Sequence, residues 1–287
     1  MNIGHFIIEQ LSEGIFEISE DGVIVKIKSP NQTQKKSISA VEQFAKRKFS
    51  RIGLDPILIT NGKYHVLLDA GLGIGLDAKE RTSSTSNLLT NLEIFGVAPE
   101  DIDYVVLSHL HYEHIAGLSY TDEDFKTHAT LPNAKIVVQK DEWNFAIQQS
   151  MEKQNNSGLG YEMDEMYRLF ADGRIKLIDE EFFSLIHGID IIKTGGHTPG
   201  HQIVRIHNRG DSAYYFGDLI PSEIYLNKSS PTGSDYDVET AQKMKVILLK
   251  QAWEEQALLL FYHSLQIKNG RLVKDELRRY SLTEAGL

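Results

Sequence analysis

Cysteine is absent from the 287 residues of this chain. Disulfide bonds, thiolate nucleophiles, iron–sulfur clusters and cysteine-based zinc sites are therefore excluded. A metal ion in this protein would need histidine and carboxylate ligands instead. Long hydrophobic runs are absent as well, because no window approaches the roughly 18 consecutive apolar residues of a membrane-spanning helix. We therefore expect no membrane span and no membrane partner.

Basic residues are fewer than acidic residues. The chain has 30 Lys and Arg residues and 40 Asp and Glu residues, so its formal net charge is −10. A large nucleic-acid interface needs a basic face, so this balance argues against nucleic acid as a partner. The first residues, from Met1 to Phe6, contain neither the basic segment nor the apolar stretch of a secretory signal. The default expectation is a cytoplasmic protein.

The composition is that of an ordinary globular protein, with 41% apolar and 24% charged residues. Strand and helix patterns alternate along the chain without a break in composition, which predicts one domain over residues 1–287. Strands are predicted at 14–18, 22–27, 55–60, 64–69, 104–107, 134–138, 189–192, 203–206, 213–216 and 258–262. Asn61 and Gly62 predict a hairpin turn between two of these strands.

Helix patterns occupy three stretches of the chain. Helices are predicted at 84–95, within 141–171, where there are one or two, and from Asp237 to about Gln256. Ser84, Thr85 or Ser86 could cap the first of them, and Gly96 would end it. Asp237 is the predicted cap of the last.

Two segments stand apart from this pattern. Residues from 1 to about 50 are expected to form an N-terminal extension, and within it the polar and basic stretch 29–50 predicts a solvated loop with a short helix. Residues from about 141 to 172 carry a stripe of Met and aromatic side chains. Such a stripe predicts either core packing or a helical cap inserted over a substrate.

A dense group of metal-ligand residue types follows the predicted strand at 104–107. His109 and His111 would point the same way on an extended segment and could chelate one ion. A turn into a helix would then direct Glu113 and His114 towards a neighbouring point. Eleven histidines in 287 residues make this spacing rare by chance, and imidazole with carboxylate suits Zn, Mn or Fe. The alternative is a polar loop whose histidines are satisfied by hydrogen bonds.

The group resembles the His-x-His-x-Asp-His signature of the metallo-β-lactamase superfamily. Further elements match that family in the same order between residues 55 and 265. The matching positions are Asp69 in Asp-Ala-Gly, His197 in Gly-Gly-His-Thr-Pro-Gly-His, Asp218 in Gly-Asp-Leu-Ile-Pro and His263 after the last predicted strand. The resemblance implies an α+β fold, a four-layer αβ/βα sandwich of two facing mixed β-sheets flanked by helices, with the metal site at one sheet edge.

The same resemblance implies a centre of two divalent metal ions, zinc first, with Mn or Fe as alternatives. The implied ligands are His109, His111 and His197 for one ion, Glu113, His114 and His263 for the other, and Asp218 as the bridge. Asp69 and His201 would support the ligands without binding metal. A hydroxide held between the ions would attack an electrophilic carbonyl or phosphoryl group, with Asp218 and Glu113 as the catalytic carboxylates.

The implied activity is hydrolysis of a small ester, lactone or organophosphate-like substrate, because the chain looks most like the lactonase and phosphotriesterase-like branch of the family. One alternative is thioester hydrolysis of the glyoxalase-II type, and another is a metal-binding protein that has lost catalysis. The family also makes a homodimer an open expectation.

Several positions leave alternatives open within this expectation. Glu113 stands where the family usually has Asp, and Ser264 stands where many relatives have Asp, so two metals, one metal or a degenerate site all remain in play. Tyr225 and Tyr262 either reach a substrate oxygen or pack in the protein. The metal count and the roles of the two tyrosines are therefore questions for the structure.

Overall fold

Two seven-stranded β-sheets carry the fold of this computed structural model. The residues it describes are 1–19, 24–26, 49–73, 87–122, 124, 126–153, 161, 163–227, 235–277 and 279–283. In chain order the strands are β1 (Asn2–Ile3), β2 (Phe6–Gln10), β3 (Gly14–Ser19), β4 (Ile24–Lys26), β5 (Phe49–Leu54), β6 (Ile57–Thr60), β7 (His65–Leu68), β8 (Tyr104–Val106), β9 (Ser119–Thr121), β10 (Thr127–Ala129), β11 (Lys135–Gln139), β12 (Ile175–Ile178), β13 (Phe182–Ile186), β14 (Ile189–Lys193), β15 (Gln202–Asn208), β16 (Asp211–Tyr215), β17 (Leu258–Leu260), β18 (Asn269–Lys274) and β19 (Tyr280–Thr283). The helices are α1 (Leu88–Ile94), α2 (Tyr112–Ile115), α3 (Lys140–Lys153), α4 (Asp164–Ala171) and α5 (Val238–Glu254).

Both large sheets are mixed. The first has the strand order β1-β2-β6-β7-β8-β11-β12, in which the strands from β7 onward run parallel and the others antiparallel. The second has the order β13-β14-β15-β16-β17-β18-β19, in which only the β16–β17 pair is parallel. α5 provides the crossover that this parallel pair requires. Two small sheets, β4-β3-β5 and β10-β9, complete the described strands.

Alternating side chains on the central strands divide the apolar interior into three cores. Val66 and Leu68 of β7 lie in the core that the two sheets share, whereas Leu67 lies in a second core with side chains of α1, α3 and α4. Tyr215 of β16 faces the shared core and Tyr214 faces a third core, which α5 covers. Successive strand residues point to opposite faces of a sheet. The predicted αβ/βα sandwich is therefore confirmed.

Local signals for turns and helix ends explain where several elements begin and end. The hairpin at Asn61 and Gly62 joins β6 to β7, with the Asn61 side chain accepting backbone N–H groups of the turn and Gly62 at φ 78°. α1 begins at a cap that the sequence patterns did not single out: the Asn87 side chain accepts the N–H of Thr90 at 2.8 Å. The predicted cap candidates at 84–86 lie outside the described residues.

The start of the expected N-terminal extension takes part in the first sheet. β2 pairs antiparallel with β6, and Ile3, Phe6 and Ile8 are fully buried in the shared core. The loop and short helix were expected over 29–50, of which 29–48 lie outside the described residues and the last two residues belong to β5. In the part of the chain that is described, no helix is long and apolar enough to cross a membrane.

Candidate metal centre

Five loops meet at one edge of the sandwich because of the strand directions. β7 runs parallel to β8, and β16 runs parallel to β17, so the carboxyl ends of each pair lie at the same edge. β14 is antiparallel to β15, which is antiparallel to β16, so β14 also ends at the edge where β16 ends. The residues that follow these strand ends are Asp69 after β7, His109 to His114 after β8, His197 after β14, Asp218 after β16 and His263 after β17.

Three imidazoles form the first ligand cluster, which we define as His109, His111 and His197. Nε2 of His109 lies 2.8 Å from Nδ1 of His111, and Nε2 of His197 lies 3.3 Å from the same atom. All three ring nitrogens therefore converge on one point, within 4.8 Å of one another. His109 and His197 are buried, and His111 is half-buried.

Two imidazoles and two carboxylates form the second ligand cluster, which we define as Glu113, His114, Asp218 and His263. One ligand atom from each lies within 4.8 Å of the others. Oδ1 of Asp218 is 3.5 Å from Nε2 of His114 and 3.3 Å from Nε2 of His263. The carboxylate of Glu113 therefore reaches this cluster despite its extra methylene relative to Asp.

Asp218 lies between the two clusters. Its Oδ1 faces His114 and His263 of the second cluster, whereas its Oδ2 lies 3.5 Å from Nε2 of His197 in the first. A carboxylate whose two oxygens face different ligand sets has the position of a bridge between two ions.

The residues present fit a pair of divalent cations. Oδ1 of Asp218 and Nε2 of His114 are buried, and neither has a hydrogen-bond partner among the described residues. Buried polar atoms are normally hydrogen-bonded, so two of them facing one point need an explanation. Cations between the ligand atoms would satisfy both, and imidazole with carboxylate is the donor set that zinc, manganese and iron accept.

The charge states of the two clusters differ. Burial, together with the neighbouring imidazoles, lowers the pKa of His109 and of His111 well below the ordinary value. Burial also acts to lower the pKa of His114, but the carboxylates of Asp69 and Asp218 outweigh it and raise that pKa to about 10. Asp218 likewise raises the pKa of His263 against the effect of burial. His109 and His111 therefore present neutral imidazoles, and His114 carries a proton that a cation at the second cluster would displace.

Asp69 fixes the orientation of His114. It is fully buried, and its Oδ2 accepts a hydrogen bond from Nδ1 of His114 at 2.7 Å. The backbone N–H of Ser108 donates to Oδ1 at 2.7 Å, and the hydroxyls of Ser108 and Tyr215 donate to Oδ2. With Nδ1 engaged, the other ring nitrogen of His114 is left to face the second cluster, which is how outer carboxylates orient metal-binding imidazoles.

His201 contacts the backbone beside the bridge and not the convergence point. Its Nε2 accepts the backbone N–H of Asp218 at 3.1 Å, so its ring proton lies on Nδ1, 2.7 Å from Oγ1 of Thr194. Burial keeps the pKa of His201 well below its ordinary value, which preserves this neutral form. The ring therefore positions the loop that carries Asp218.

Sequence reasoning missed the partners of the remaining imidazoles. Oδ1 of Asp235 lies 2.8 Å from Nδ1 of His197, and the backbone oxygen of Gly53 lies 2.8 Å from Nδ1 of His263. No motif marks either partner, because both come from distant parts of the chain and one is a backbone atom. The only local signal for Asp235 is its position just before the predicted helix cap Asp237.

The two tyrosines that could reach a substrate differ in their surroundings. The hydroxyl of Tyr262 donates to the backbone oxygen of Glu113 at 2.6 Å, and its ring stacks on His114 with 4.3 Å between centroids. Tyr262 is therefore packed beneath the second cluster. Tyr225 is half-buried, and burial, together with Asp218 and Asp235, raises its pKa, so its hydroxyl stays protonated at neutral pH.

Most of the Met and aromatic stripe that is described packs in the core. Trp143, Met163 and Met166 are buried in the second core. Tyr161 is also buried, and its ring lies 5.0 Å from that of His111, so it borders the first cluster. Residues 154–160 of the expected cap lie outside the described residues.

Ser264 contacts a neighbouring loop. Its side chain is buried, and its hydroxyl donates to the carboxylate of Glu223. Ser264, at the position where the family resemblance led us to expect Asp, thus links the His263 loop to the turn after Asp218.

Comparison with known proteins gives a consistent set of similarities. The family model described as the metallo-beta-lactamase superfamily matches residues 55–259, well over half of the chain. An N-acyl homoserine lactonase from Bacillus sp is 22% identical over 194 residues, which is 66% of this chain and 67% of the relative. The N-acyl homoserine lactonase AttM from Azorhizobium caulinodans is 25% identical over 181 residues, 55% of this chain and 64% of the relative.

Solved structures extend the similarity over the whole length. A probable metal-dependent hydrolase from Staphylococcus aureus has a TM-score of 0.73 and 26% identity, covering 100% of both chains. AidC, a dizinc quorum-quenching lactonase in complex with a product, has a TM-score of 0.70 and 21% identity, covering 100% of this chain and 97% of AidC. The second likeness concerns the fold alone, since the identity is low.

Proposed function

This chain belongs to the metallo-beta-lactamase superfamily and is a metal-dependent hydrolase, and on that premise we propose that it hydrolyses lactones at a centre of two divalent ions. The observation that carries the proposal is the position of Asp218, with one oxygen towards each ligand cluster. The similarity to N-acyl homoserine lactonases favours lactones over other esters. Zinc is the proposed metal because the clusters offer imidazole and carboxylate ligands, with manganese and iron as alternatives.

The proposed ligands form the same two groups as the two ligand clusters. The first cluster would hold one ion and the second cluster the other, with Asp218 shared. Ions bound there would supply Lewis acidity towards the scissile carbonyl oxygen and lower the pKa of a coordinated water. The buried, partnerless oxygen of Asp218 and nitrogen of His114 support this assignment.

The side chains around the centre have separate tasks in the proposal. His263 and His114 hold the pKa of Asp218 well below its ordinary value against the effect of burial, so it stays ionised and can serve as the anionic ligand that the two ions would share. Glu113 is the second carboxylate on the same face of the centre. The protonated hydroxyl of Tyr225 is the proposed hydrogen-bond donor to the substrate carbonyl.

The proposal can be tested with protein reconstituted separately with zinc, manganese and iron. The substrates are an N-acyl homoserine lactone, an aliphatic lactone, an aryl ester and a phosphotriester, and the readout is kcat/KM. We expect lactones to be the best substrates and Asp218→Asn to lose activity. The matched control is Asp124→Asn, because the Asp124 side chain is 79% exposed. Turnover of only the ester or only the phosphotriester would show that this class, and not lactones, is the substrate. No turnover above the Asp218→Asn background would favour a degenerate site.

A further inference from the structure

Glu142 is a buried carboxylate that the proposed chemistry does not use. It is fully buried near the start of α3, and it stands apart from both ligand clusters. Its Oε1 accepts the backbone N–H of Leu110 at 3.0 Å. Its Oε2 accepts the backbone N–H of Gly200 at 3.2 Å and the hydroxyl of Thr198. The two oxygens of one carboxylate therefore hold two separate loops.

These two loops are the ones that supply the first cluster. Leu110 lies between His109 and His111, and the contacts at Thr198 and Gly200 come directly after His197. The bonds at Leu110 and Gly200 hold backbone N–H groups and the bond at Thr198 holds a side-chain hydroxyl, all within three residues of a first-cluster histidine. The three ring nitrogens can converge only if both loops keep their separation, and Glu142 spans that separation.

The close approach of α3 to the second loop also depends on Gly200. A Cβ atom at this position would lie 2.1 Å from the backbone nitrogen of Glu142. No side chain other than hydrogen fits there, because such a contact is far inside the van der Waals distance. The lack of a side chain at Gly200 therefore allows the start of α3 to pack against this loop. The carboxylate of Glu142 then binds the loop through its hydrogen bonds.

Burying this carboxylate is costly, which argues that its position matters. Burial raises the pKa of Glu142, and hydrogen bonds from Thr198 and Leu110 act against that rise. The imidazole of His197 and a hydrogen bond from the backbone of Gly200 act in the same direction. A buried carboxylate persists where hydrogen bonds compensate for lost hydration. Here, every strong donor belongs to a ligand loop.

We propose that Glu142 is a positioning residue that holds the two loops of the first ligand cluster at metal-binding separation. The inference rests on the proposed metal centre and is independent of the substrate. Glu142 acts through Leu110, Thr198 and Gly200, and it touches neither ion nor substrate. Its effect is therefore confined to the first cluster, because none of its bonds reaches a residue of the second.

The test is the affinity of each cluster for Zn²⁺ in Glu142→Gln, measured by chelator competition. A glutamine amide has one accepting oxygen, so its NH2 group must face a donor on one of the two loops. We expect the first cluster to bind Zn²⁺ about 10- to 100-fold more weakly, as for other residues that orient ligands. The second cluster should keep its affinity. His111→Ala and His263→Ala identify which binding step belongs to which cluster.

Glu152→Gln is the matched control, because it makes the same substitution on the same helix at an exposed position. The visible spectrum of the Co²⁺-substituted protein gives a second readout, since ligand geometry changes it and hydrolytic activity does not enter. If Glu142→Gln folds and binds Zn²⁺ at the first cluster as tightly as Glu152→Gln, with an unchanged Co²⁺ spectrum, the inference is wrong. Equal weakening of both clusters would also overturn it.

Thr198→Val keeps the test decisive if Glu142→Gln fails to fold. This variant removes one donor to Glu142 and keeps the shape of the side chain. We expect a smaller loss, about 3- to 10-fold, in the first cluster alone. An unchanged affinity in Thr198→Val would count against the inference. A protein that binds two ions but opens no lactone would contradict the proposed substrate and leave the role of Glu142 intact.

Discussion

The two ligand clusters lie side by side, yet they hold charge in opposite ways. In the first, burial and the neighbouring imidazoles lower the pKa values of His109 and His111, and carboxylate oxygens of Asp218 and Asp235 both face His197. The second contains Glu113 and Oδ1 of Asp218, and against the effect of burial the neighbouring carboxylates raise the pKa of His114 to about 10 and also raise that of His263. The difference teaches that two imidazoles of the first cluster can accept a cation without losing a proton, whereas the second cluster must release at least the proton of His114.

We expect the largest effect at Asp218, because both clusters share this carboxylate. Asp218→Asn removes the charge that both clusters use, so both should bind metal more weakly. We expect kcat/KM for the best lactone to fall by roughly 1,000-fold, which corresponds to the several kcal/mol that metal assistance supplies. Steady-state kinetics with metal analysis checks this. Full metal content and near-normal turnover in this variant would show that neither metal binding nor catalysis requires Asp218.

Separate truncation of each cluster should separate the two ions. His111→Ala takes one nitrogen from the first cluster and His263→Ala takes one from the second. We expect each variant to lose about one equivalent of metal while the other cluster stays filled, because a site with a missing ligand is open and weak. Elemental analysis after gel filtration measures this. Loss of both equivalents in either variant would mean that the clusters act as one site.

The pH dependence of metal binding should differ between the clusters. The pKa of His114, raised to about 10, means that this imidazole of the second cluster carries a proton at neutral pH, and the pKa of His263 is raised in the same direction. The affinity of the second cluster should therefore rise with pH, roughly tenfold per unit for each proton displaced. The lowered pKa values of His109 and His111 keep these two imidazoles neutral above pH 6.5, so the affinity of the first cluster should depend less on pH than that of the second.

Chelator competition between pH 6.5 and pH 8 checks this contrast. His263→Ala isolates the first cluster and His111→Ala isolates the second. Parallel pH profiles for the two variants would contradict the assigned charge states.

The smallest effect is expected at Glu113. The half-buried Glu113 already reaches the second cluster, so shortening it to Asp moves one ligand by about one bond length. We expect Glu113→Asp to change the affinity of the second cluster by less than about tenfold, and Glu113→Gln to weaken it more, since the charge is lost. The same chelator titration compares them. A second cluster indifferent to Glu113→Gln would show that this carboxylate is not a ligand.

The sequence was most informative where chemistry and chain order coincide. Four candidate ligands lie within the six residues from His109 to His114, so their spacing alone predicts a shared site. The strand and helix patterns predicted only a mixture of strands and helices, and the sandwich was implied by the family resemblance. β1 and β2 were harder, because β1 has only two residues and β2 becomes a sheet strand only by pairing with β6.

The sequence did not predict the residues that orient the candidate ligands without binding metal themselves. Asp235 meets His197 across 38 positions, and Glu142 meets Leu110 across 32. Such contacts depend on how α3 and α5 dock against the ligand loops, and no local pattern records that docking. The tertiary structure was therefore needed to find what orients the candidate ligands, although the candidates themselves are predicted from the sequence.

The most direct test of the two-cluster account is anomalous diffraction from crystals of the zinc-loaded protein. The account predicts two peaks per chain, one among His109, His111 and His197 and the other among Glu113, His114 and His263. Asp218 should lie within coordination distance of both peaks. A single peak, or two peaks that Asp218 does not bridge, would contradict it.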